Sequence, residues 1–286
     1  MEVTKTKELE EKNYGIAAFF DLDGTLMPLP SLERRFFRML RYRCEIPRRN
    51  YFYWLLEALR LLSRGLHAVT HANKMYLKGV RSSNASDGGN CSEFSADAKK
   101  MGRDARWSAP RFFEEGIERV MCHAMLGHTI VLVSGTLEPL ANAAARALEA
   151  ELAARGLATR VRVCATRLEG FHGRWTGKIV GETMFGPAKA QALKRLGQEL
   201  GLDLARSWAH GDAATDRWML EAVGHPAAVN PTGKLARVAR GRGWPALRWK
   251  ENNLTPRTQS SQKTQRNLGE SAGARPRILR AHCKSC

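Results

Sequence analysis

The chain has 286 residues, 43% hydrophobic and 26% charged, enough for one large α/β domain with an inserted piece. Its formal charge of +18 is unevenly spread: from Lys234 to Cys286, thirteen Lys and Arg face only Glu251 and Glu270. The longest apolar stretches, Tyr51 to Leu62 and Val120 to Val133, are interrupted by Glu57, Arg60, His123 and His128, which excludes a helical membrane span of about 20 apolar residues.

Residues 1–15 are charged and lack the apolar run and small-residue cleavage site of a secretory signal, so they read as an extension of a cytoplasmic protein. Ile16 to Phe20 is the first expected strand, and it runs directly into two carboxylates in AAFFDLDGTLMP, residues 17–28. About a hundred residues without a good buried strand follow. Their amphipathic patterns predict helices over Ser31–Arg43 with Ser31 as N-cap, Arg48–Leu62, His67–Val80 and Arg111–Met125. Between the last two, Ser82–Lys100 is polar and Gly-containing and reads as a loop or weak helix. The run YFYWLL at 51–56 could line a pocket or meet a partner, but core packing between the helices of this insertion is the expected role. His67, His71, His123 and His128 show no metal-ligand spacing and are expected at the surface or in packing roles.

Strands resume at Thr129–Val133, Val161–Ala165, Ser207–His210 and Ala227–Asn230, alternating with helical patterns over Leu137–Arg155 and Ala188–Leu200. That alternation predicts a mainly parallel sheet covered on both faces, and the Gly-punctuated Gly170–Ile179 predicts a small hairpin beside it. The expected layout is an extension at 1–15, an α/β core over 16–30 and 127–250, a helical cap insertion over 31–126, and a basic tail at 251–286. The tail has the composition of a disordered segment; it could hold nucleic acid or anionic lipid by charge, but no dedicated partner of either kind is expected. The six cysteines show no framework spacing apart from the terminal CKSC, where only His282 lies beside the pair and a zinc site needs about four ligands. Scattered thiols fit a reducing compartment.

In an open α/β sheet, ligands bind outside the carboxyl ends of the strands. There the sequence places Asp21 and Asp23, then Ser134-Gly135-Thr136, then Gly211-Asp212 and Asp216. Carboxylates crowded together repel, more so when desolvated; a divalent cation with hard oxygen preference, Mg²⁺, relieves the conflict and leaves positions for phosphate oxygens. Asp21 and Asp212 are the natural ligands, with Asp21 also placed as a nucleophile toward phosphorus. Asp23 can serve as general acid and then base. Ser134 can donate to a phosphate oxygen, Gly135 allows close backbone approach, and Lys189 at a helix start adds positive charge.

The pattern DLDGT at 21–25, VLVSGT at 131–136, Lys189 and GDAATD at 211–216 resembles the haloacid dehalogenase superfamily of phosphohydrolases, most closely the subfamily that includes phosphoserine phosphatase. The resemblance implies a flavodoxin-like core with a mobile helical cap, Mg²⁺ and an aspartyl-phosphate intermediate. It implies Asp21 as nucleophile and metal ligand, Asp23 as acid/base and as metal ligand through its carbonyl, and Ser134 and Lys189 as phosphate ligands. Asp212 would bind metal with Asp216 supporting it. Ala213 departs from the Ser or Gly common in relatives. Glu33 with Arg34 or Arg35 lies near the cap region that would select the substrate, a small phosphorylated metabolite such as phosphoserine. Phosphotransfer to an alcohol, and a binding protein acting through the basic tail, are the alternatives.

Overall fold

The computed structural model describes residues 15–63, 65–82 and 110–250. The extension before Gly15, the polar stretch 83–109, and the basic tail with its CKSC motif lie outside the described residues. Eight strands are described: β1 (Ala17–Phe20), β2 (Thr129–Leu137), β3 (Val161–Thr166), β4 (Leu168–Phe171), β5 (Arg174–Ile179), β6 (Trp208–Gly211), β7 (His225–Val229) and β8 (Ala246–Leu247). The α-helices are α1 (Leu32–Tyr42), α2 (Arg49–Leu62), α3 (Leu66–Ala72), α4 (Glu114–Met125), α5 (Glu138–Ala154), α6 (Pro187–Leu200), α7 (Arg217–Glu221) and α8 (Gly233–Arg242).

β1 reads AAFF and is buried at all four positions, as a strand covered on both faces should be. It lies inside a six-stranded sheet of order β3-β2-β1-β6-β7-β8, parallel at every pairing. Successive side chains point to opposite faces, and the two cores sort accordingly. Ala18, Phe20, Ile130 and Leu132 join Ile117 and Val120 of α4 and Leu148 and Leu152 of α5. Ala17, Phe19, Val131 and Val133 join Leu193 of α6, Met219 and Leu220 of α7, and Leu235 of α8. Truncating a side chain such as Phe20 to Ala would cost about 3–5 kcal/mol in a core packed this way. The expected parallel α/β fold is thus the observed one, with β8 as an added edge strand.

β4 and β5 form the expected hairpin, turning through His172 and Gly173, both at positive φ. The hairpin is tied to the insertion, since Gly79 N–H donates to the Trp175 carbonyl and Trp175 N–H to the Val80 carbonyl. Trp175 packs there with Phe36, Met39 and Leu40 of α1 and with Leu137 and Leu140 of the core.

Three expectations change. The helix over His67–Val80 is two pieces, α3 and a 3₁₀ turn at Met75–Leu77. Asn73 divides them: its Oδ1 accepts from Met75 N–H at 3.2 Å and its Nδ2 donates to the Trp54 carbonyl at 2.8 Å, a local bond that competes with helix. Helix α4, grouped with the insertion on sequence grounds, packs its buried side on the sheet. The YFYWLL run is not core: Tyr51, Phe52, Leu55 and Leu56 are exposed, and α2 buries Asn50, Ala58 and Leu61 instead. The reason is polar, because Asn50 Nδ2 donates to the Tyr76 and Lys78 carbonyls at 3.0 and 2.7 Å and so seats that side of α2 against the 3₁₀ turn.

Candidate active site

The path of the chain across the sheet reverses at β1: β2 and β3 lie to one side, β6, β7 and β8 to the other. The carboxyl ends of β1 and β6 flank the crevice that such a switch creates. Asp21 leaves β1 and Asp212 leaves β6, and both are buried. Asp21 N–H donates to the His210 carbonyl at 2.9 Å. Gly24, at φ +97°, passes so close to Asp212 that a Cβ there would lie 2.4 Å from Asp212 Oδ2; only glycine fits both the conformation and the space.

Asp216 holds the second loop closed. Its Oδ2 accepts from the backbone N–H groups of Asp212 at 3.2 Å and Ala213 at 2.9 Å, while its Oδ1 accepts from Lys189 Nζ at 2.7 Å. Gly211 permits this approach, since a Cβ there would sit 2.6 Å from the Asp216 Cβ. One oxygen from each of Asp21, Asp212 and Asp216 falls within 4.8 Å of the others.

Electrostatics records the crowding. Burial raises the Asp21 carboxyl well above its ordinary range against the pull of Lys189, and Asp216 and Asp212 add to the rise. Burial, then the Asp216 charge, pushes Asp212 up to about 7. Lys189, the third residue of α6, is buried with its Nζ bonded to both Asp21 and Asp216. Burial would lower its ammonium, but the two carboxylates outweigh that and raise it. A single lysine among three carboxylates leaves an excess of negative charge that a hard divalent cation suits by size, charge and oxygen preference.

Asp23 differs from the other carboxylates. Its Oδ1 accepts from Leu32 N–H, at the start of α1, at 2.8 Å, and burial pushes it up to about 6 against the pull of that bond. Its side chain is not one of the three clustered carboxylates. Ser134, near the carboxyl end of β2, is buried and accepts from Thr136 N–H at 3.2 Å. Asp21, Asp23, Ser134, Gly135, Lys189, Asp212 and Asp216 all line one cavity of about 1180 Å³ between the sheet edge and the insertion.

The insertion side carries Phe37, Tyr51, Trp54 and Tyr76, while Phe185 lies beside Gly135; of these the sequence raised only Tyr51 and Trp54, in the YFYWLL run, as the alternative to core packing. On the insertion side, Glu33 Oε1 accepts from Lys74 Nζ and, at 2.6 Å, from the Tyr76 hydroxyl. Burial, then the Glu33 charge, raises the Tyr76 phenol well above its usual value. Of the charged groups here the sequence pointed to Glu33 and to Arg34, which also lines the cavity. Arg35 donates to the Pro30 and Pro28 carbonyls at 2.8 and 2.6 Å.

Comparison with known proteins matches residues 18–221 to the family described as haloacid dehalogenase-like hydrolase. A probable phosphatase of Mycobacterium tuberculosis is 36% identical over 138 residues, 48% of this chain and 44% of that protein. The inhibition of morphological differentiation protein of Streptomyces azureus is 37% identical over 139 residues, 48% of this chain and 46% of that protein. The chain therefore spans less than half the length of these curated relatives. Among solved structures, a Bordetella pertussis protein of unknown function superposes with a TM-score of 0.58 at 25% identity, covering 82% of this chain and 98% of that one. A phosphoserine phosphatase in apo form gives a TM-score of 0.50 at 19% identity, covering 82% and 93%, a likeness of fold. The family match takes in β1 with Asp21 and β6 with Asp212 and Asp216, and on that extent the chain belongs to the haloacid dehalogenase-like hydrolase family.

Proposed function

We propose that the chain is a Mg²⁺-dependent phosphatase that hydrolyses a small phosphomonoester through an aspartyl-phosphate at Asp21. The observation that carries this reading is the convergence of Asp21, Asp212 and Asp216 at the switch point of the sheet, with Lys189 bonded to Asp21 and Asp216. Asp21, Asp212 and the Asp23 carbonyl would hold the cation. Asp216 has both carboxylate oxygens engaged by Lys189 and by backbone N–H groups, which suits it to positioning. The cation would offset the charge of the three carboxylates and of the phosphate.

In the first step an Asp21 oxygen attacks phosphorus as the bond to the leaving oxygen breaks, and Asp23 gives its proton to that oxygen. Its carboxyl, pushed up to about 6, is near the range where a group can both give and take a proton at neutral pH. In the second step Asp23 takes a proton from water, the water oxygen attacks phosphorus, and the acyl phosphate opens to free Asp21 and inorganic phosphate. Lys189 and Ser134 would bind the phosphate oxygens throughout. The insertion between β1 and α4 would act as the lid that excludes bulk water.

The relatives' names support phosphatase chemistry, and one of them, 33% identical over 136 residues, is a phosphoserine phosphatase of M. tuberculosis. The wall of this cavity does not favour phosphoserine in particular: Glu33, the acidic group nearest to serving an ammonium, is already engaged by Lys74 and Tyr76. Release of inorganic phosphate from a panel of phosphomonoesters, with Mg²⁺ or with chelator, tests the reading. Turnover should require Mg²⁺ and should fall by about 10³-fold or more in Asp21→Asn. Full turnover with chelator, or in Asp21→Asn, would reject it.

A further inference from the structure

Helix α2 turns its apolar side outward. While Asn50, Ala58 and Leu61 face inward, Tyr51, Phe52, Leu55, Leu56, Leu59 and Leu62 are each between 47% and 61% exposed. At about 100° per residue these six fall within an arc of about 140°. They make one continuous apolar strip, of a kind that marks an interaction surface.

The border of the strip is basic. Arg48 and Arg49 stand at its start, Arg60 on its flank has a side chain 79% exposed, and Lys78 Nζ lies over the Tyr53 ring at 4.3 Å. The one acidic residue of α2, Glu57, lies 3.6 Å from Arg60. Large apolar side chains bordered by cations match a surface that is apolar beneath and negative on top. We propose that this face of α2 docks on an anionic lipid bilayer, its aromatic and leucine side chains entering the boundary between headgroups and acyl chains while the arginines meet lipid phosphates.

Charge argues against a second copy of this chain, because pairing the face with itself brings two arginine borders together. Tyr51 belongs both to the strip and to the wall of the catalytic cavity, so docking would set the cavity mouth beside the membrane. The contact is peripheral, since no described helix is long and apolar enough to cross a membrane. The sequence predicts no dedicated membrane partner and core packing for the YFYWLL run, with a partner contact as the alternative; which side of α2 is exposed follows only from its inner face, Asn50, Ala58 and Leu61.

Sedimentation of the 286-residue chain with vesicles tests the proposal, using phosphatidylcholine alone and phosphatidylcholine mixed with phosphatidylglycerol. The protein should partition onto the mixed vesicles and much less onto phosphatidylcholine alone. The double variant Leu55→Ser, Leu59→Ser changes exposed positions, so its thermal unfolding should match the parent. Its partition coefficient should drop by about tenfold or more, while turnover of a water-soluble phosphomonoester stays unchanged, which separates this idea from the catalytic one. No partition of the parent onto mixed vesicles would overturn the proposal. So would equal partition of the double variant, which assigns binding to basic residues elsewhere. A dimer that the double substitution disperses, without vesicle binding, would assign the face to a second copy.

Discussion

Asp216, on the sheet side of the cavity, accepts hydrogen bonds from Lys189 and from two backbone N–H groups, whereas Tyr51 and Trp54, on the insertion side, are 47% and 37% exposed. The sheet side is fixed by bonds that leave its charged groups little freedom. The insertion side offers aromatic surface on a helix held by Asn50, by Asn73 at the Trp54 carbonyl, and by buried Ala58 and Leu61. A reaction that needs atoms placed within fractions of an ångström belongs on the first; recognition, which varies among relatives of one fold, can sit on the second.

The strongest way to break this contrast is Lys189→Met. It leaves three buried carboxylates without their cation and should cost about 3–5 kcal/mol by chemical denaturation near neutral pH, with turnover lost. The Asp21 and Asp212 carboxyls are raised in the folded state, so their repulsion is absent below the unfolded carboxylate range and grows as pH rises through about 7. The variant's deficit should therefore shrink on acidification; a deficit below about 1 kcal/mol at pH 8 would mean the sheet edge is not bound as described.

Next comes acid stability of the core beneath the site. Burial, then His128, lowers His123 to about 3, and burial, then His123, lowers His210 well below its usual value. Both stay neutral in the fold while the unfolded chain takes up protons below about 6.5. The contribution of these two histidines is therefore complete above pH 6.5 and is lost as pH drops toward 3, against an opposite contribution from the raised carboxyls of Asp21, Asp23 and Asp212. Thermal unfolding between pH 7 and 4 measures this, and His123→Gln should flatten the slope relative to its own neutral value; an unchanged slope would clear His123.

Gly24→Ala should follow, with kcat down about 10²-fold because Asp212 must move to admit the methyl group. A normal kcat would show that Asp212 tolerates displacement. The smallest effect is expected on the insertion side. Tyr76→Phe removes one hydrogen bond to Glu33 and should raise KM a few-fold, about 1 kcal/mol or less, with kcat held. A kcat loss as large as that of Gly24→Ala would erase the distinction between the two sides.

The same contrast governs what could be read from sequence. Asp21, Asp23, Asp212 and Asp216 were legible because each lies within a few residues of a strand end, where backbone geometry dictates the side chain's place. Ser134 and Lys189 followed from their positions on a strand and a helix start, and the structure brings all six to one cavity. The parallel sheet was legible from apolar runs such as AAFF. The inner face of α2 was not, because its periodicity marks an apolar side without saying that Asn50 would turn the other side inward by binding two carbonyls 26 and 28 residues away. Nor was the junction of Glu33 with Lys74 and Tyr76, groups 41 and 43 residues apart in sequence, since no local pattern encodes such a meeting.

Asp23 couples the two sides. Its carboxylate receives the first amide of α1, so the side chain proposed for proton transfer also holds the start of the insertion's first helix. Any swing of α1 away from the sheet must either break that bond or carry Asp23 with it. If the insertion moves as the proposed lid, opening the cavity and displacing the proposed proton donor would be one movement, and a lid held ajar would disarm the acid without touching Asp21.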